Sequence, residues 1–390
     1  MGKRILVISD TIIMPLDRGN RKRVYNQINM MREHGCDVDM LYLATYPEED
    51  PTATREFMGE DHFIVFENKK RTLGVFLKRK VRKALELMHI PGLMFKYWTV
   101  DEKISPDVVD YVKNLFTKKQ YDVVIASYIY TSKALLGVPS NVVTAIDTMN
   151  AFTFKRQMYE EVGYKNYEFA LTKEREKAGL MRADYTIAIQ EDEGEFFKSI
   201  LPSDKKVVTI GENMPVAEPY VANTNTILFL GSYYVVNRHG VKHFIEHIIP
   251  LLKKSGVPFK VKLAGSICKH IPDGEDYEKL GYVDDVDEAY REARLVINPV
   301  LVGTGLNIKT IEAVSKAKPL VSHEVGVRGL KPEKPFALVS DDDQEFANHI
   351  IELLKSDEKC LELSQNAVDF MNQYIEKNNS ALEEIFNAEK

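Results

Sequence analysis

Cysteine is scarce in this chain. Its 390 residues include three, Cys36, Cys268 and Cys360, far apart and with no CxxC pair. That excludes a disulfide framework and a thiolate metal clip, and makes a reducing compartment the default. There is one tryptophan and no uncharged apolar stretch long enough to span a bilayer. The opening MGKRILVISD has only a short apolar run before Ser9 and Asp10, too short for a signal peptide. Leu6 stands where a myristoylation signal wants Ser or Thr. Basic charge is not in excess: 52 Lys and Arg face 58 Asp and Glu, a net charge of −6. No global field draws the protein to nucleic acid. There is no GxSxG element, and no low-complexity tract or short-period repeat. What remains is an ordinary globular composition, 44% hydrophobic and 28% charged, long enough for about two or three domains.

The hydrophobic pattern is that of strands alternating with helices, which predicts a parallel, doubly wound sheet. Strand signals fall at residues 5–8, 38–43, 123–126, 142–146, 186–189 and 207–210, with helices at 22–34 and 153–182. Residues 211–226, GENMPVAEPYVANTNT, lack periodicity and carry two prolines, which reads as a linker. A second run follows, with strands at 227–230, 260–263, 295–298, 320–322 and 337–339 and helices at 241–254 and 286–293. The expected boundaries are an N-terminal Rossmann-like domain at 1–212, a linker at 213–226, a C-terminal Rossmann-like domain at 227–365, and a terminal helix at 366–390 returning to the first domain.

The most informative stretch is 298–330, NPVLVGTGLNIKTIEAVSKAKPLVSHEVGVRGL. A loop bearing Gly303, Thr304 and Gly305 leads through Leu306 and Asn307 into a helix carrying Lys309 and Glu312. Unpaired N–H groups at a helix start suit a phosphate. Lys309 adds a full positive charge, and Glu312 can accept hydrogen bonds from sugar hydroxyls. A cation and a ribose acceptor on one helix face point to a nucleoside diphosphate. The glycines alone would equally fit a tight turn.

As a whole, this segment resembles the donor-binding segment of retaining GT-B glycosyltransferases, in particular glycosyltransferase family 4. The resemblance covers nearly the whole chain and implies two Rossmann-like domains facing a cleft. It assigns acceptor binding to the first domain and nucleotide-sugar binding to the second. In the second, Gly231 and Ser232 close the opening strand, Arg238 follows within reach of a phosphate, and Tyr282 and Val283 resemble the turn against the base. In the first, Arg18, Gly19, Asn20, Arg21 and Arg23 resemble the N-terminal loop, on the phosphate or acceptor side. Asp147 stands where many members carry an Asp or His near the reacting sugar. Lys309, Asp147 and Arg18 are the expected catalytic groups. One departure is that Thr304 replaces the first of two glutamates separated by seven residues, the second being Glu312. The sugar then depends on backbone N–H groups of 304–307 and on Asn307.

The activity implied is metal-independent, retaining transfer from a nucleotide-diphosphate sugar, a UDP-sugar by expectation, to a glycan or lipid-linked acceptor. No cofactor, metal or nucleic acid is expected. The setting implied is surface-polysaccharide assembly at the cytoplasmic membrane face. Residues 69–83, KKRTLGVFLKRKVRK, are basic without an acid. Through 88 they have the spacing of an amphipathic helix, which meets either an anionic membrane or its own domain. The pairs Asp37/Asp39 and Asp285/Asp287, and the row His239, His243, His247, read as strand, helix-start and surface features respectively. Two alternatives stay open: a catalytically silent nucleotide-sugar-binding subunit, and another GT-B enzyme such as an epimerase.

Overall fold

The computed structural model describes the chain apart from residues 1, 17, 47, 69–98, 162, 164–169 and 284. The basic stretch 69–88 therefore lies outside the described residues, as do Tyr97 and Trp98. The chain divides into two units, residues 1–211 with 379–390, and residues 212–378.

The first unit is built on β1 (Arg4–Ser9), β2 (Asp37–Ala44), β3 (Phe63–Glu67), β4 (Val123–Ser127), β5 (Val143–Asp147), β6 (Tyr185–Ala188) and β7 (Lys206–Thr209). The sheet order is β3-β2-β1-β4-β5-β6-β7, every pair parallel. Central strands of such a sheet are covered on both faces and read as continuous apolar runs. Ile5, Leu6, Val7 and Ile8 are all fully buried. Leu6 and Ile8 pack into one face's cluster with Val124 and Ala126. Ile5 and Val7 pack into the other with Val24 and Ile28.

Those last two residues belong to α1 (Gly19–Glu33), which starts at Gly19, three residues before the sequence placed it. It ends as a glycine-terminated helix should: Gly35 takes φ +74, and the Cys36 N–H reaches the Met31 carbonyl at 3.1 Å. Further helices of this unit are α2 (Thr52–Met58), α3 (Val108–Phe116), α4 (Lys155–Glu161), α5 (Lys173–Leu180) and α6 (Glu191–Ile200). The single helix expected over 153–182 is thus corrected to two. Gly163 at φ +69 follows the first, and the Thr172 side chain caps the second. Leu382, Ile385 and Phe386, near the chain's end, join the α1 face of the core.

The second unit repeats the plan. Its strands are β8 (Thr226–Leu230), β9 (Lys260–Ala264), β10 (Tyr277–Gly281), β11 (Leu295–Asn298), β12 (Leu320–Ser322) and β13 (Ala337–Val339). They lie in the order β10-β9-β8-β11-β12-β13, again parallel. The helices are α7 (Val235–His243), α8 (Ile249–Lys254), α9 (Val286–Glu292), α10 (Ile308–Ser315), α11 (Glu324–Val327), α12 (Asp343–Lys355) and α13 (Asp357–Phe386), the last of which belongs to this unit up to Asn378 and to the first from Asn379. Between α7 and α8 the helix widens into a π turn at Phe244–Ile248. Pro250 explains this break in the helix expected over 241–254, because it lacks an N–H and its ring crowds the preceding turn. Residues 211–225 carry neither helix nor strand. Among the described residues, no helix is long and apolar enough to cross a membrane.

Candidate functional site

In both sheets the strand order reverses direction about its first strand, between β1 and β4 and between β8 and β11. Ligands of doubly wound sheets bind beyond the strands' carboxyl ends at such a switch point. In the second unit that places Gly231 on one side and the loop after Asn298 on the other.

Gly231 is buried, and its missing side chain serves packing. A Cβ there would lie 2.8 Å from the Phe229 ring, while Gly265 presses on its carbonyl from the next strand. Ser232 is exposed, and its carbonyl accepts the Asn237 amide at 2.9 Å. Arg238, on α7, is exposed and has no partner among the described residues. Two residues on, Gly240 lets α7 touch the β11 loop: a Cβ there would sit 2.2 Å from the Pro299 carbonyl oxygen.

The β11 loop and α10 form the core of the site. Gly305 takes φ +71, a conformation glycine adopts without strain. Gly303 accepts a hydrogen bond from Arg328 at 3.1 Å, Thr304 is half-buried and Leu306 is 9% exposed. Asn307 sits at the N-cap of α10 without capping it. Its amide donates to the Val325 carbonyl at 2.9 Å and its oxygen accepts the Lys309 ammonium at 3.4 Å. Its side chain therefore braces the loop and holds Lys309, where the sequence assigned it to a sugar. Lys309 as a whole is half-buried, yet burial pushes its ammonium down to about 8 against the opposing pull of Glu312. Beneath them, the Asn298 amide donates to Thr310 at 2.9 Å and Thr310 donates to the Gly326 carbonyl at 2.6 Å. The start of α10 is thereby tied to the end of β11 and to α11.

Glu312 has a partner the sequence did not reveal. The hydroxyl of Tyr290, on α9 and 1% exposed, donates to it. Glu312 and burial together push the Tyr290 phenol well up, burial being the larger cause. The carboxylate is thus oriented from below, with Lys309 one turn back on the same helix. Tyr282 and Val283 follow β10, Tyr282 being 81% exposed and Val283 half-buried. Asp285 caps α9 through the Glu288 N–H at 3.0 Å, as its position before a helix predicts.

In the first unit, Arg18 and Gly19 are exposed and Asn20 is half-buried at the start of α1. Arg21 is turned to Glu49 at 2.9 Å. Arg23 and Asp147 require a correction. Both are fully buried and face each other, with Arg23 Nε and Nη2 on the two carboxylate oxygens at 3.2 and 3.0 Å. Arg23 also donates to the carbonyls of Ile210, at 2.7 Å, and Gly211. The pair anchors the chain where the first unit ends, and the charges expected to meet a substrate are engaged within the fold. Asp37, Asp39 and His62 have the spacing of a metal site. However, Asp39 is already held by Lys119 at 2.9 Å, Tyr121 at 2.6 Å and His62 at 2.8 Å. His243 is likewise committed, to Asp343 at 2.7 Å.

Two wholly parallel sheets, each opening with its central strand, define the GT-B class. Comparison with solved structures agrees. TarM is similar over 99% of both chains, with a TM-score of 0.70 at 12% identity. A mutant of S. aureus TarM, solved with Fondaparinux, alpha-GlcNAc-glycerol and UDP, gives 0.66 at 11% over 99% of this chain and 100% of that one. Anabaena Alr3699/HepE, solved with UDP and glucose, gives 0.62 at 14% over 99% of this chain and 100% of that one. Likenesses at these identities establish the fold. The family enters through residues 224–356, which match the family model for glycosyl transferases group 1. The second unit carries a domain of that family, and the chain is a glycosyltransferase. Along 403 aligned residues it is also 22% identical to the "Uncharacterized 44.6 kDa protein in cps region" of Klebsiella pneumoniae, covering 95% of this chain and 96% of that protein.

Proposed function

We propose that this glycosyltransferase is retaining and metal-independent, and moves a sugar from a UDP-sugar to a glycan or lipid-linked acceptor during surface-polysaccharide assembly at the cytoplasmic membrane face. The second unit takes the donor and the first the acceptor. The observation that carries the reading is the α10 constellation: Lys309 held by Asn307, and Glu312 oriented by Tyr290 one turn on. HepE and TarM, solved with UDP, support the nucleotide, and the cps-region relative supports the setting.

Breaking the anomeric C–O bond leaves extra negative charge on the diphosphate. Lys309 and the unpaired N–H groups at the start of α10 stabilise that charge, a preorganised electrostatic contribution. Glu312 holds the ribose hydroxyls and so fixes the donor's position. The departing phosphate can take the acceptor proton itself, so the reading needs no protein base.

The test is thermal stabilisation by UDP, GDP, ADP and CMP of the wild type, Glu312→Ala and Lys309→Ala. A ligand bound by the native state raises the melting temperature according to its affinity. UDP is expected to stabilise the wild type, with the effect lost in both variants. Stabilisation that survives both substitutions removes α10 as the donor site.

A further inference from the structure

The first sheet has its own switch point, between β1 and β4, and the donor chemistry makes no use of the groups gathered there. Asp10 directly follows β1 and is 1% exposed. Its Oδ1 accepts the Tyr130 hydroxyl at 3.2 Å and the Thr11 hydroxyl at 3.4 Å. Its Oδ2 is buried with no partner among the described residues. Tyr130 is itself fixed: its ring stacks on Tyr128 at 5.0 Å, and the Lys103 ammonium lies 3.8 Å from its centroid. Tyr128, just past the end of β4, holds φ +68, a costly conformation for an aromatic residue. Burial pushes the Asp10 carboxyl up, opposed first by Lys103 and then by Tyr130.

A carboxylate oxygen buried without a donor is expensive, and folded proteins keep one where something else supplies the donor. Strain beside it marks the same place. A sugar hydroxyl is a donor of the right kind, and the carboxyl ends of parallel strands are where a ligand enters. We propose that Asp10 is an acceptor-binding residue: its Oδ2 receives a hydroxyl of the acceptor saccharide, while Tyr130 holds the carboxylate in position through Oδ1. The inference rests on the transferase reading for the word acceptor, but the saccharide subsite can be tested apart from it.

The test uses wild type, Asp10→Asn and Tyr130→Phe, with p-nitrophenyl glycosides of glucose, galactose, mannose and N-acetylglucosamine as probes. Binding is read by saturation-transfer NMR without donor, and UDP-induced thermal stabilisation is read in parallel. Asn keeps the shape but puts an amide donor where a hydroxyl must donate. At least one glycoside should bind the wild type. Asp10→Asn should weaken it about tenfold, the loss of one hydrogen bond to a charged group. Tyr130→Phe should weaken it less, and UDP should stabilise all three proteins equally. Failure of every glycoside to bind the wild type overturns the proposal, as does unchanged binding by Asp10→Asn. If UDP stabilises none of the proteins while glycoside binding still depends on Asp10, the transferase reading fails and the saccharide subsite stands.

Discussion

On the proposed reading of α10 as the donor site, Lys309 confers sensitivity to pH in a range where an ordinary lysine does not titrate. Burial lowers its ammonium from 10.5 to about 8. A bound diphosphate favours the charged form, so binding raises this pKa again and affinity follows the protonated fraction of the free protein. That fraction falls from about nine-tenths at about pH 7 to about one-tenth at about pH 9, so UDP should bind about tenfold more weakly at the upper pH. Titration calorimetry in buffers of different ionisation enthalpy adds a second reading, because near pH 8 about half a proton should be taken up per UDP bound. In Lys309→Arg the guanidinium stays charged throughout, and the affinity should be flat between these pH values. The direction for the free protein is also fixed. Between about 8 and 10.5 the unfolded chain binds the proton and the folded chain does not. Its folding stability should therefore rise with pH across that window. A flat wild-type profile, or an equal slope in Lys309→Arg, would refute the assignment of Lys309 to the diphosphate.

Three further outcomes follow from the packing. Tyr290→Phe removes the donor that orients Glu312; it should weaken UDP about fivefold, the worth of about one hydrogen bond, raising the donor KM while leaving kcat nearly unchanged. Asp147→Ala leaves the Arg23 guanidinium buried without its carboxylate and should cost about 3–5 kcal/mol in urea unfolding, and a cost near zero would mean the pair is not buried. Gly240→Ala drives a methyl to 2.2 Å from the rigid Pro299 carbonyl, so it should cost about 1–3 kcal/mol and displace the loop leading to Gly305. Loss of UDP stabilisation in a variant that still folds would show that displacement, and unchanged UDP binding would show that α7 does not brace the loop.

The parallel sheets were legible because burial on both faces makes their central strands continuous apolar runs. The same physics explains one of the two strands missed. β10 is an edge strand, only partly buried along Tyr277–Gly281, so it lacks the run that reveals its neighbours; β3, the other missed edge strand, does carry an apolar run, FIVF at 63–66. In the site, Lys309 and Glu312 were readable since three residues on one helix fix their common face. Tyr290 was not, because nothing in the sequence says which buried side of α9 meets α10. Arg23 and Asp147 misled for a related reason. A charge near a helix start or strand end reads as solvent-facing, and only the fold brings residues 124 positions apart into one buried pair. Gly231 follows β8 and Asn307 precedes α10 as the sequence placed them, and there the fold uses the first for packing and the second for bracing.

Sheet order accounts for most of the places where this fold leaves polar groups unanswered, Arg4 at the start of β1 and Gln27 within α1 being exceptions. Among the described residues, Asp10 and Ser127 lie at the carboxyl ends of β1 and β4, and each has a buried oxygen without a partner. Asn298 closes β11, and Asn237 faces Gly231 just past β8; both keep an amide oxygen in the same condition. Asn150, which follows β5, keeps an amide oxygen in that condition, and His323, which follows β12, a ring nitrogen. Strand interiors cannot tolerate such atoms, because every backbone and side-chain group there is already packed or paired. At the carboxyl ends, and above all at the two switch points, adjacent connections depart to opposite faces of the sheet and leave room that the chain does not fill. Polar atoms left unpaired in that room are a cost to folding that a bound ligand can offset by supplying hydroxyls and amides. The same orphaned oxygens should therefore be the first to gain partners when donor and acceptor bind, and hydrogen exchange in the loops beginning at residues 10, 231 and 299 is where that gain would register.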